Sequence, residues 1–190
     1  MVSKQEKAKK EWTSYYIEVE LEGTTAIYEN GIITIKGPKG EISKKLRYPN
    51  VSLNVEDEKI IVGSSKLTQR EKKIINTYRA HITNLIKGVN EGFEYKLVVV
   101  FAKFPMTIEK KNQEFIVKNL LGEKVPRVMK IPNNVELDIK GKEIFVRGID
   151  KELVGQCAAN IEQLCRITHL DRRVIQDGIF ITNKPHRDYV

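Results

Sequence analysis

The side chains able to do covalent or metal chemistry are few and badly placed for it. The three histidines, His81, His169 and His186, stand isolated in sequence. None has metal-ligand spacing from another histidine or from a cysteine. His81 falls on the polar side of a helical pattern, where a structural or solvated role is expected. Cys157 and Cys165 lie eight apart on overlapping faces of one helical stretch and read as small core filler rather than nucleophiles or ligands. The carboxylates are scattered along strand faces and turns, such as Glu56-Asp57-Glu58, as a solvated surface would have them. There is no Gly-x-Ser-x-Gly elbow, no phosphate loop ending in Gly-Lys, and no Gly-x-Gly-x-x-Gly dinucleotide turn. The expectation is therefore no catalytic site, no metal, no cofactor and no small-molecule substrate.

Cations are the better-represented chemistry. Lys plus Arg number 33 against 25 acids, a net charge of +8 and a pI near 9.3, which favours polyanionic partners. They gather in three places. Lys36, Lys39, Lys44, Lys45 and Arg47 rim Gly37-Pro38-Lys39-Gly40, a Gly-x-x-Gly pattern like the one with which an RNA-binding module clamps a backbone. In that module the loop joins two helices; here it joins two strands, and a tight turn is the competing reading. Lys124, Arg127 and Lys130 follow Gly122, and Arg166, Arg172, Arg173, Lys184 and Arg187 gather towards the C-terminus. Lysine offers phosphate a point charge and arginine a two-pronged fork. Any one cluster could be a solvated face; three together, without a catalytic site, favour RNA.

The elements that must hold these residues are legible from pattern. With 41% hydrophobic and 31% charged residues in 190, the chain can bury one large core or two small ones. Residues 1–13 form a Lys-rich tail containing Trp12, without the apolar follow-on of a signal peptide, and no run reaches the ~18 apolar residues of a membrane helix. Two cysteines exclude a disulfide scaffold and fit a reducing, intracellular setting. Ala26–Glu29 faces Ile32–Lys36 across Asn30-Gly31, the dipeptide of a type I′ hairpin. Val51, Leu53 and Val55 alternate towards a turn at 56–58 and a strand at Ile60-Ile61-Val62. Thr68-Gln69-Arg70-Glu71 fits a capping box opening a helix whose apolar positions are Ile74, Tyr78, Ile82, Leu85 and Val89, with Gly88 and Gly92 as stops.

The order then recurs. Phe115–Lys118 runs into Gly122-Glu123 as Ile33–Lys36 runs into Gly40-Glu41. Val135, Leu137 and Ile139 alternate before a Gly141-Lys142 turn into Ile144-Phe145-Val146. A helix near Asp150 sets Val154, Cys157, Ala158, Ile161 and Cys165 inward, and Asp177-Gly178 leads into Ile179-Phe180-Ile181. Gly40 and Gly122, Ile60 and Ile144, and Gly92 and Gly178 are separated by 82, 84 and 86 positions, the signature of a duplicated domain rather than a solenoid. The expected fold is α+β: two duplicated domains, each an antiparallel sheet covered on one face by one helix. The expected domains are residues 14–97 and 98–184, with a tail at 185–190 and Leu97–Ala102 as a stiff connecting strand.

These motifs together resemble universal large-subunit ribosomal protein six, called protein nine in eukaryotic ribosomes. The carrying segments are Lys36–Gly40, His81–Val89 continuing to Gly92–Lys96, Ala102–Pro105 and Asn119–Lys124. In the C-terminal signature of the archaeal and eukaryotic branch, Gln163, Ile167, Arg173, Asp177-Gly178-Ile179, Ile181 and Lys184 match. Leu170 replaces a basic residue, Ile175 a Phe, and Phe180 a Tyr. The resemblance covers about residues 32–184. It implies two α+β domains, the second carrying most of the contacts to large-subunit rRNA near the loop engaged by translation factors. It also implies neighbouring ribosomal proteins and residence in cytoplasmic ribosomes, with nucleolar assembly in a eukaryote. Arg166, Arg172, Arg173 and Lys184 are the first RNA-binding candidates it supplies, Lys124, Arg127 and Lys130 the next, and Asp177-Gly178 the turn presenting them. Lys39 joins the RNA-binding candidates from the Gly-x-x-Gly pattern. The competing functional class is a free-standing RNA-binding module built on that pattern; an enzyme with an unrecognised site is a third.

Overall fold

A computed structural model describes residues 15–56, 58–66 and 68–185, and the backbone of 187–188. The expectations for Trp12 and the Lys-rich tail, Asp57 and His186 lie outside the described residues. The chain divides at Glu91/Gly92 into two compact units.

The first unit holds six strands: β1 (Tyr15–Glu20), β2 (Thr25–Glu29), β3 (Ile32–Gly37), β4 (Gly40–Lys45), β5 (Val51–Val55) and β6 (Lys59–Ser64). The helix α1 (Gln69–Asn90) follows. The strands form two antiparallel sheets, ordered β1-β6-β5 and β2-β3-β4. Asn30 and Gly31 close the β2–β3 hairpin at φ 52° and 81°, the two positive values its turn demands. Along α1 the fully buried apolar stripe is Ile75, Ile82, Leu85, Ile86 and Val89, while Ile74 and Tyr78 sit half-buried at its edge. The expected capping box does not close. Thr68 precedes the helix in extended conformation, yet its side chain makes no cap hydrogen bond. Glu71 is instead drawn inward, with one carboxylate oxygen unpartnered among the described residues. Gly88 is buried inside the helix, which runs on to Asn90; Gly92, at φ 76°, follows its end.

The second unit repeats this plan with an addition. Strands β7 (Phe93–Val100), β8 (Thr107–Lys111), β9 (Glu114–Lys118), β10 (Arg127–Lys130), β11 (Val135–Lys140) and β12 (Glu143–Gly148) precede α2 (Lys151–Leu164). After it come β13 (Gly178–Lys184) and the short β14 (Arg187–Asp188). The order β11-β12-β7 repeats β5-β6-β1, and β10-β9-β8 repeats β4-β3-β2. The new feature is β13, which pairs antiparallel with the other edge of β7. This explains why Leu97–Val100 is so apolar: β7 is the central strand of a five-stranded sheet, with Leu97 and Val99 buried in the core. It is not the connecting strand expected at 97–102, and the units divide six residues earlier than the expected boundary at 97/98. Each unit thus carries two sheets under its helix rather than one, within the expected duplicated α+β class.

Asp150 caps α2, its side chain accepting a hydrogen bond from the Glu152 amide at 2.8 Å. Val154, Cys157, Ala158 and Ile161 then turn inward against Ile144, Val146 and Ile179. Both cysteines are buried and unbridged, and burial pushes their thiols up to about 11, so neither is a thiolate at neutral pH.

Candidate nucleic-acid interface

The residues that the sequence marks as cationic candidates arrive in three different environments. Of those in the second unit, Arg166, Arg172 and Arg173 sit on the segment that leaves α2 and returns as β13. Residues 165–177 have no regular structure, and the backbone there is organised by side chains. Asp171 starts a turn: its main-chain oxygen accepts from the amides of Val174 and Ile175, and its carboxylate from the amide of Arg173 at 2.9 Å. At the end of the segment Asp177, 5% exposed, accepts from the Ala102 amide at 2.9 Å. Asp177-Gly178 was expected as the turn that presents this region, and its carboxylate is turned inward instead. It is a buried clasp from which β13 starts.

Between this segment, the end of α2 and β13 lies an open-sided groove of about 760 Å³. Arg166 and Arg172 line it, so the structure brings these two candidates together. Arg173 is not part of its wall. Its side chain is 89% exposed and its guanidinium is paired with Asp171 at 2.8 Å, which holds that carboxyl below its ordinary value. Lys184 lies half-buried at the far end of β13, in register with Arg187.

Arg127 has a different job. Its fork grips both carboxylate oxygens of Glu123 at 2.6 and 2.9 Å, and its remaining nitrogen donates to the carbonyls of Leu164 at 2.7 Å and Arg166 at 3.2 Å. It satisfies carbonyls at the C-terminal end of α2, where a cation is favoured by the helix dipole. The hydrogen bond from Arg127 keeps the Glu123 carboxyl below its usual range and raises the guanidinium further. Arg127 thus fastens the end of α2 and the start of the Arg166 segment, and its donors face the protein. Lys124 is exposed on the connection that leaves Asn119, Leu121 and Gly122, all at positive φ, and Lys130 is exposed on β10 opposite Glu114.

Lys39 belongs to the first unit. Its amide donates to the carbonyl of Val89 at 3.0 Å and its ammonium to the carbonyl of Glu91, so the Gly37–Gly40 turn caps the C-terminus of α1. Gly37 is there because the hairpin comes so close: a Cβ at this position would lie 2.9 Å from the Val89 Cβ. The Gly-x-x-Gly pattern is a hairpin turn clasped to a helix end.

Two groove residues were not singled out in the sequence: Glu162 and Gln176 line it beside the buried Asp177, and none of the three contributes a cation. The amide pair Gln163 and Gln176, on either side of the basic residues, was the one available signal. Among the described residues no group of three His, Cys, Asp or Glu is placed to hold a metal. No described helix is long and apolar enough to cross a membrane.

The fold and groove define a class, the duplicated α+β proteins whose second unit carries an arginine-rimmed groove. Comparison with known proteins narrows this class. The family described as Ribosomal protein L6 matches residues 17–92 and 104–178, one stretch in each unit. The chain is 42% identical over 168 residues to the large ribosomal subunit protein uL6 of Methanobrevibacter smithii, covering 88% of this chain and 94% of that protein. It is 41% identical over 168 residues to the uL6 of Methanococcus vannielii (88% and 92%), and 40% over 163 residues to that of Methanosarcina mazei (86% and 93%). The chain belongs to the ribosomal protein L6 family, in its archaeal branch.

Proposed function

We propose that this chain holds large-subunit rRNA with the surface around the 165–177 segment of its second unit. As a member of the L6 family it is a structural, non-enzymatic constituent of the large ribosomal subunit. The archaeal relatives fit a cytoplasmic ribosome without a nucleolar step. The observation that carries the RNA surface is the convergence of Arg166 and Arg172 on one groove, with Arg173 exposed beside it. Such groups bind RNA phosphates by charge and by bidentate hydrogen bonds. In this reading Arg166, Arg172 and Arg173 are the first contacts, with Lys184, Lys124 and Lys130 further along the surface. Arg127 and Lys39 act through the backbone they fasten. Neighbouring ribosomal proteins and the factor-binding region of the subunit complete the proposed setting. The free-standing module is disfavoured, since both nitrogens of Lys39 are engaged by the end of α1.

The test is sucrose-gradient fractionation of lysate at physiological and then high salt, with wild type compared to the double variant Arg172→Glu/Arg173→Glu. Wild-type chain should co-migrate with the large subunit through the high-salt wash, and the variant should be depleted from it while keeping its fold. Wild type at the top of both gradients, or a variant incorporated as well as wild type, would count against the proposal.

A further inference from the structure

We propose that the groove beside β13 receives one unstacked nucleobase of the bound RNA, while Arg166 and Arg172 at its rim take the flanking phosphates; this rests on the rRNA-binding reading above. The inside of the groove has the wrong chemistry for a phosphate. Glu162 and Asp177 line it, and a phosphate among them would meet like charge. Its apolar wall, from Val100, Ile167, Ile175 and Ile179, would give an anion no hydrogen bonds. A neutral, flat, largely apolar group carrying donors and acceptors on its edge meets neither objection. Those edge groups have partners: the side-chain amides of Gln163 and Gln176 each offer both a donor and an acceptor. An aromatic surface is present too. Phe180 lines the groove, and its ring lies so close to Gly178 that a Cβ there would be 3.3 Å from it. Single-stranded and bulged RNA is recognised in this manner, by splayed bases stacked on aromatic rings and read along their edges. At about 760 Å³ the groove falls within the ~300–1,000 Å³ of small-molecule pockets, so a base with its sugar fits without displacing the core. Recognition of this kind depends on which bases are free of pairing, which shape-reading of an RNA helix does not.

The experiment uses large subunits carrying the full chain. They are irradiated at short ultraviolet wavelength and the linked peptide–nucleotide adducts are mapped. Separately, Watson–Crick edges are probed with dimethyl sulfate and carbodiimide in subunits carrying wild type, Phe180→Leu or Gln176→Ala. The expected result is a nucleotide linked to the peptide spanning 163–184. That same nucleotide should gain several-fold in reactivity in both variants, with the chain still in the subunit. The exposed Gln176 keeps the test informative if Phe180→Leu disturbs the sheet. Retention of the chain with no nucleotide changed in either variant would overturn base insertion and leave the phosphate contacts standing. An adduct between the groove and another protein would overturn it as well. Absence of the wild-type chain from subunits would defeat the rRNA-binding reading itself, a distinct failure.

Discussion

Gly37, Arg127 and Glu123 show how little of this protein's charge and glycine usage is spare. A methyl group at Gly37 would press on the Val89 side chain at 2.9 Å and its carbonyl at 3.3 Å, where hairpin and helix end are locked together. Gly37→Ala should therefore destabilise the first unit by about 1–3 kcal/mol in chemical denaturation. An unchanged midpoint would mean that Val89 can move aside. Arg127→Lys keeps the charge but loses the fork that spans Glu123 and two backbone carbonyls. A loss of about 1–3 kcal/mol is expected, with faster amide exchange around Leu164–Arg166. The Arg127–Glu123 pair also sets a pH dependence. Its hydrogen bond lowers the Glu123 carboxyl below 4.5 in the folded state, so the stabilisation is complete above that pH and is lost as pH falls through the depressed value. The effect is small, since the pair is part-exposed and screened. Glu123→Gln should flatten the acid limb of the stability curve, and an acid limb identical to wild type would assign it to other carboxylates.

At the level of elements, the two helices occupy equivalent places but start differently. Asp150 closes a cap on α2, whereas Thr68 closes none on α1, although both positions carry a residue type favoured there. Asp150→Ala should cost about 1 kcal/mol, and Thr68→Ala clearly less, in parallel denaturation series. Equal costs would show that Thr68 caps the helix after all. The Glu71 carboxylate, which the reciprocal bond of a capping box would turn back towards the Thr68 amide, is buried instead. The duplicated strands diverge as well. Tyr15–Glu20 is an edge strand, alternating between polar and apolar, while Phe93–Val100 has neighbours on both sides and carries Leu-Val-Val-Val. The added neighbour, β13, is also the strand that forms one wall of the groove.

Across the whole molecule the net charge of +8 favours a polyanionic partner, and the position of the unpaired cations decides which surface meets it. Much of the second unit's charge is neutralised locally: Lys96 with Glu143, Lys118 with Glu109, Lys140 with Asp138 and Arg147 with Glu94 on its sheets. No described ion pair involves Arg166 or Arg172. In the proposed reading these two are first among the groups that would release counterions from RNA. Arg172→Gln should lower the salt dependence of rRNA binding by about one unit of log–log slope. Lys140→Gln, on the paired sheet face, should leave the slope unchanged. Equal slopes for all three proteins would move the RNA surface away from the groove.

Much of this was readable from the chain alone. Asn30-Gly31, the alternation at Val51–Val55 and Val135–Ile139, the Asp150 helix start and the near-constant spacing of the repeats are local signals, dictated by backbone sterics and by side-chain periodicities of two and 3.6. They were enough for the duplicated α+β class, and the motif series led to the L6 family. Tertiary structure alone decided what each cation does. Lys39, Arg127 and Arg172 look alike in sequence, yet the first caps α1, the second fastens the end of α2, and the third lines an open groove. A guanidinium or ammonium carries the same charge everywhere; its role depends on which carbonyls and carboxylates the folded chain brings within hydrogen-bond distance. The same contacts, made between residues far apart in sequence, turned Leu97–Val100 from an apparent connector into the centre of a sheet.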